Sequence, residues 1–267
     1  MKITTWNINS VRLRLPSLAR LIKEISPDII CLQETKVRNE LFPAQDLEAL
    51  GYPYQAISGM KSYNGVAIIS KHPLLKINVK EWCNKADCRH VFASVNEKNI
   101  GPIIIHNFYV PAGGDIPDRT KNVKFAHKLK FLKEVAAWQK RNKKNDQAQI
   151  LVGDLNIAPL PTDVWSHKQL LKTVSHTSVE VNALEKLQQA GEWTDAIREV
   201  IPPTDPLFTW WSYRAKDWRA SNRGRRLDHI WTTQVLKKHI SAVDIHQTTR
   251  GWDKPSDHVP VTLTLSI

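Results

Sequence analysis

Apolar positions fall along this chain in two alternating patterns, short continuous runs and runs spaced by three and four. Ile3–Ile8 predicts an opening strand. Leu15, Leu18, Leu21, Ile22 and Ile25 recur at the spacing of one helix face, and Pro27 closes that helix. Ile29-Ile30-Cys31-Leu32 predicts a buried strand, and Val66–Ser70 and Ile103–Val110 predict two more. Phe125, Leu129, Leu132 and Ala136, spaced 4, 3 and 4, predict a helix with those residues on one face. Ile150–Val152 predicts a strand, Leu184–Ala190 a helix ending at Gly191, and Leu227–Thr232 and Val259–Leu265 the last strands. No repeat, low-complexity tract or long linker interrupts the series, so one domain is expected over residues 1–267. Strands and helices mixed along one domain predict an α/β or α+β sandwich.

Two of the apolar runs break their own pattern. "LVGDLNIAP" at 151–159 and "KPSDHVPV" at 254–261 place Asp154, Asn156, Asp257 and His258 inside stretches that could otherwise be buried. Buried charge is costly unless something pairs with it. Other strands end similarly: Trp6 leads to Asn7, and Ile29–Leu32 leads to Gln33-Glu34. Residues two apart in an extended segment face the same side, so Asp154 and Asn156 can address one site. If these strand ends meet, Asn7, Glu34, Asp154, Asn156 and Asp257 form a cluster of hard oxygen donors suited to Mg²⁺ or Mn²⁺. Taken singly, each is an ordinary turn or capping residue; their number and matching placement carry the expectation.

Composition narrows the partners. The net charge is +12 over 267 residues, with basic concentrations at Lys140-Arg141-Asn142-Lys143-Lys144 and Arg223–Arg226, which favours a polyanion such as nucleic acid over a membrane surface. No run approaches the roughly 18 apolar residues of a membrane helix. The start lacks the features of a secretory signal, and three cysteines do not form a disulfide framework, so a reduced, cytoplasmic protein is expected. Cys83, Cys88 and His90 have the form C-x₄-C-x-H but lack a fourth zinc ligand. The segment "TWWSYRAKDWRASNRGRR" interleaves Trp210, Trp211, Tyr213 and Trp218 with Arg214, Lys216, Arg219, Arg223, Arg225 and Arg226. Aromatic faces pack on sugars or bases while cations hold phosphates, so this segment is expected to contact DNA, with Trp211 itself in the core.

"TWNINSVR", "PDIICLQETK", "NFYVPAGG", "VGDLNIAP", "NRGRRLDHI" and "SDHVPV" occur in the order found in the exonuclease III family of DNA-repair nucleases, within the endonuclease/exonuclease/phosphatase superfamily. The chain resembles that family over nearly its whole length. The resemblance implies a four-layered α/β sandwich of the deoxyribonuclease I kind, two mixed sheets flanked by helices. It implies an Mg²⁺-dependent (or Mn²⁺-dependent) enzyme acting on double-stranded DNA, incising 5′ to abasic sites and trimming 3′ ends as an exonuclease and phosphatase. A monomer is the default expectation. Carried over, Glu34 resembles the principal metal ligand, with Asn7 and Asp257 supporting it and Asp154, Asn156 and His258 bordering the same site. Asp154 resembles the residue that orients or deprotonates the attacking water, Asn156 one that holds phosphate or water, and Tyr109 a tyrosine near the scissile phosphate. His258 resembles the active-site histidine, with Asp228 as its carboxylate partner. The residues leave open whether Asp154 or His258 takes the proton, and whether one or two metals bind. Arg12, Lys36, Trp210, Arg214, Asn222, Arg223, Arg226 and Leu227 are the expected DNA contacts, Trp210 and Leu227 as the wall of a pocket for an abasic sugar. Two residues depart from the family pattern: Ser10 stands where glycine is frequent, and Arg225 where relatives carry an apolar or aromatic residue. Two other readings compete. A superfamily phosphatase acting on inositol phosphates or lipids would release phosphate and leave intact DNA uncut, and a non-catalytic DNA-binding relative would fail a nuclease assay.

Overall fold

The computed structural model describes residues 1–143, 146–215 and 217–267; Lys144 of the basic run and Lys216 of the aromatic segment lie outside the described residues. Two mixed six-stranded sheets form the centre. The strands are β1 (Lys2–Asn7), β2 (Ile29–Gln33), β3 (Tyr54–Ser58), β4 (Val66–Ser70), β5 (Leu75–Val79), β6 (His90–Glu97) and β7 (Gly101–Tyr109), followed by β8 (Gln149–Asp154), β9 (Thr194–Asp195), β10 (Trp210–Trp211), β11 (Gly224–Arg225), β12 (Asp228–Thr232), β13 (Ile240–Ile245) and β14 (Val261–Leu265). One sheet has the order β13-β14-β1-β2-β4-β3 and the other β5-β6-β7-β8-β12-β9, while β10 and β11 make a separate two-stranded ribbon. Only β1 with β2 and β7 with β8 pair in parallel among the described strands.

Strands covered on both faces explain the continuous apolar runs. Ile29 and Cys31 of β2 pack between the sheets with Val91, Ile105, Ile150 and Val152. The alternate residues Ile30 and Leu32 pack outward with Leu18, Leu21 and Ile22 of the helix Leu15–Ile25. On the other sheet Leu151 packs outward with Phe131, Leu132, Leu184 and Leu187, from the helices Val123–Asn142 and Ser178–Gly191. Helix, sheet, sheet and helix thus make four layers, as the family resemblance implies, with the main apolar core between the sheets. No helix of the described residues is long and apolar enough to cross a membrane.

The helix at Val123–Asn142 differs from its predicted face. Leu129 is only half-buried, and the buried positions include Lys128, Phe131 and Val135. An apolar pattern passes over Lys128 because burying an ammonium is costly. Here the Lys128 Nζ lies 2.5 Å from Glu180 Oε1 of the neighbouring helix, and both side chains are fully buried. His90 of the C-x₄-C-x-H sequence packs into the core: its Nε2 lies 3.1 Å from His106 Nδ1, its ring stacks on Phe108, and it joins no cluster of three potential ligands among the described residues.

Register brings the functional ends together. Asn7 stands opposite Gln33, Tyr109 opposite Asp154, and Asp154 opposite Asp228. The ends of β1, β2, β7 and β8 and the start of β12 therefore open on one rim of the sandwich.

Candidate active site

Asp154 closes β8 immediately after Gly153. At Gly153 φ is +140°, and a Cβ there would collide with the Phe108 carbonyl of β7. Glycine at this point lets the two parallel strands approach and brings Asp154 beside Tyr109. Beyond the strand ends the backbone turns sharply: Ser10 (φ 87°), Glu34 (φ 50°) and Asn156 (φ 55°) all lie in the left-handed region. Such conformations cost energy in residues other than glycine and gather where surrounding structure dictates side-chain direction. Ser10, the departure from the family pattern, occupies a turn that glycine would adopt freely.

Hydrogen bonds join the side chains directly. The Asn7 amide Nδ2 donates to Glu34 Oε1 and Asp154 Oδ2, both at 2.9 Å. Tyr109 donates its hydroxyl to the same Glu34 oxygen at 2.9 Å, and Lys36 Nζ lies 2.8 Å from Glu34 Oε2. The backbone N–H of Asn156 donates to Asp154 Oδ1, and its side-chain amide donates to the Val110 carbonyl. Asp257 accepts from Asn9 Nδ2 at 3.1 Å and from Trp210 Nε1 at 2.9 Å. Opposite them, His258 Nδ1 is 2.8 Å from Asp228 Oδ2, while its Nε2 is 3.6 Å from Asp154 Oδ2. Thr209 fixes Asp228 by donating to Oδ2 at 2.6 Å while accepting from the N–H groups of Leu227 and Asp228.

Burial and charge separate the titrations of these groups. Burial pushes Asp154 up to about 7, against the opposing pull of His258. Burial works the other way on His258, but the carboxylates of Asp228, Asp154 and Asp257 outweigh it and carry the imidazole to about 10. Glu34 is pushed up by burial, yet Lys36, Asn7 and His258 together hold it below the usual carboxylate range. Burial raises the Tyr109 hydroxyl well above its ordinary value, so it remains a donor.

The donor set fits a hard divalent ion. Glu34, Asp154 and Asp257 line one cleft of about 630 Å³, with carboxylate oxygens and no thiol among them. The Lys36 ammonium already sits against Glu34, so this carboxylate is placed to receive positive charge. Asp154, Asp228 and His258 also offer ligand atoms within 4.8 Å of one another. Their geometry is that of a carboxylate–imidazole–carboxylate chain, with His258 between Asp228 and Asp154.

Most expected DNA contacts lie on or near this cleft. Trp210, Arg214, Arg223 and Leu227 line it, Arg12 and Asn222 are exposed, and Lys36 is partly exposed beside Glu34. Arg223 stacks on Trp165 at 4.7 Å. Asn222 uses its side-chain oxygen to accept from Trp211 Nε1. Trp211 is buried, as expected. Arg226 requires correction: it is 1% exposed and bound to Asp163 and Asp195, so its guanidinium is spent inside the protein and cannot hold a DNA phosphate. Sequence reasoning also missed cleft residues. Asn9, within the quoted "TWNINSVR", was passed over beside Asn7, yet it donates to Asp257 and accepts from Lys36 at the edge of the site. Trp165, Val174 and Ser175 come from a segment without helical or strand periodicity, and no local pattern marks them.

Comparison with known proteins follows this geometry. The profile of the Endonuclease/Exonuclease/phosphatase family matches residues 4–258. Exodeoxyribonuclease III of Haemophilus influenzae is 31% identical over 269 residues, covering 98% of each chain. The solved structure of an AP endonuclease from Archaeoglobus fulgidus superposes with a TM-score of 0.91 at 30% identity, covering both chains fully. A 3′ phosphatase from Neisseria, solved with a product DNA hairpin, gives 0.88 at 29% identity, again over 100% of both chains.

Proposed function

The chain belongs to the Endonuclease/Exonuclease/phosphatase family, and from that premise we propose how its cleft hydrolyses DNA. It is a hydrolase of the exonuclease III and AP endonuclease class, a DNA-repair phosphodiesterase. We take its substrates to be double-stranded DNA carrying abasic sites or 3′ ends, with Mg²⁺ as the ion, or Mn²⁺ in its place. The observation that carries the proposal is the convergence of Glu34, Asp154 and His258 on one cleft with their titrations held apart.

Glu34 would hold the ion, with Asn7 orienting that carboxylate and Asp257 supporting from the far side. When bound, such an ion polarises phosphoryl oxygens and neutralises charge as it develops. Asp154 is the base: near neutrality a carboxylate titrating at about 7 exists in part as the anion and can accept a proton from water. His258 is unsuited to that task because it already carries its proton. As an imidazolium anchored by Asp228 it donates from Nε2 to a phosphate oxygen. Asn156, fixed by its backbone to Asp154, is placed to hold water or phosphate beside the base. Tyr109 keeps its proton and donates toward the reacting group or Glu34. Water's oxygen bonds to phosphorus, the bond from phosphorus to the 3′ oxygen breaks with its electron pair on oxygen, and that oxygen takes up a proton.

Trp210 and Leu227 form an apolar wall of the cleft suited to an extrahelical sugar, while Arg214 and Arg223 face the DNA backbone. We place the enzyme in the cytoplasm as a monomer; its three free cysteines accord with a reducing compartment. The test is a duplex with one abasic analogue, compared with blunt and nicked duplexes, in Mg²⁺ and in chelator. Cleavage should vanish in chelator and return with Mg²⁺ or Mn²⁺. Metal-independent cleavage, or phosphate release from inositol phosphates with DNA untouched, would overturn the proposal.

A further inference from the structure

Arg225 and Arg226 are neighbours in sequence with opposite electrostatic surroundings. Arg226 is neutralised by two buried carboxylates. Arg225 has no carboxylate within ion-pair distance among the described residues; its Nη1 donates to the Val174 carbonyl at 3.0 Å and the Ser175 hydroxyl at 2.8 Å. Its guanidinium carbon lies 5.3 Å from the centre of the Trp210 ring. The backbone is fixed as well, because β11 pairs Arg225 with Trp210 and its carbonyl accepts from Thr209 N–H. A half-buried cation is thereby held rigidly in the wall of the cleft that contains Asp154 and His258. A cation in such a place is costly without a close anion; burial pulls its pKa down, and Glu180, already paired with Lys128, opposes that only from beyond ion-pair distance.

We propose that Arg225 recognises the second negative charge of a terminal phosphate, so that 3′-phosphate ends are favoured over internal abasic sites. The inference rests on the hydrolytic reading above. A phosphodiester carries one negative charge, whereas a terminal monoester with a second pKa near 6 carries close to two at pH 7. The extra anionic oxygen replaces the bridge to the downstream nucleotide. An abasic deoxyribose on that side is uncharged, so it gains no ion pair and must displace water from the guanidinium. Hydrolysis of the monoester adds water's oxygen to phosphorus and breaks the bond to the 3′ oxygen, whose electron pair takes up a proton. The products are inorganic phosphate and a 3′-hydroxyl end.

The experiment compares wild type, Arg225→Leu and Arg225→Lys on a 3′-phosphate duplex and on a duplex with an abasic analogue, in Mg²⁺. Arg225→Leu should lose about ten- to a hundredfold in kcat/KM on the 3′-phosphate, the scale of a charged hydrogen bond. Abasic incision should lose clearly less than the 3′-phosphate reaction, because the abasic sugar forms no ion pair there, and Arg225→Lys, which keeps the charge, should lose less on the phosphate. Equal losses on both substrates, or none on either, would overturn the assignment. Calorimetry with inorganic phosphate gives a readout without turnover: wild type should bind it about tenfold more tightly than Arg225→Leu, and equal affinity rejects the role. Inactive wild type on both duplexes would count against the hydrolytic reading, while the phosphate titration would still judge Arg225.

Discussion

Asp154 and His258 lie 3.6 Å apart yet change charge in different ranges, and the pH profile should show it. Asp154 acts as the anion, so the rate rises with pH through a limb at or below about 7, since a bound dication adds an opposing charge. His258 acts as the cation, so the rate stays level until about 10. Asp228→Asn removes the strongest attraction that raises the imidazole, and the alkaline limb should move downward. A wild-type rate that falls between pH 7 and 8, or an alkaline limb unmoved by Asp228→Asn, would contradict these assignments. The positions of Glu34, Asp154 and Asp257 were legible in sequence because each interrupts or ends an apolar run. Arg226 was not, because its partners Asp195 and Asp163 lie 31 and 63 residues away. Lys128 was hidden in the same way, with Glu180 lying 52 residues further along. A one-dimensional pattern shows that a charge exists, not which distant charge meets it.

Elements buried on both faces were the most readable. The strands at Ile29–Gln33, Val66–Ser70 and Gln149–Asp154 coincide with continuous apolar runs because helices cover one face and the other sheet covers the second. The edge strand Leu75–Val79 went unread although Leu75, Ile77 and Val79 alternate with Lys76 and Asn78 at strand period; it is exposed at all five positions, so it lacks the continuous apolar run that marked the central strands. The two-residue strands that carry Trp210 and Arg225 are too short for any period and depend on tertiary pairing. Gly153 supplies the prediction at this scale. Gly153→Ala should destabilise the protein by at least about 2 kcal/mol, combining overpacking with an unfavourable backbone angle. Denaturant unfolding measures it, and a loss below about 0.5 kcal/mol, the scale of an ordinary surface substitution, would mean that β7 and β8 tolerate the added atom.

Across the whole molecule, the +12 charge and the local chemistry of the cleft have separable effects. Arg223→Ala should weaken abasic and undamaged duplexes alike and lower the salt slope by about 1. Trp210→Ala should instead reduce discrimination for the abasic duplex by about ten- to a hundredfold, the scale of one stacking face. Equal losses on both duplexes for Trp210→Ala would make it a packing residue only. The central claim is that the rim where the strands end is the hydrolytic site, with Asp154 as its base. Its most direct test is single-turnover cleavage of an abasic duplex by wild type and Asp154→Asn at saturating Mg²⁺, with DNA binding measured in parallel. The account predicts a rate loss on the order of a thousandfold, within the usual range for removing a general base, with DNA affinity largely retained. Cleavage by Asp154→Asn at the wild-type rate would contradict it.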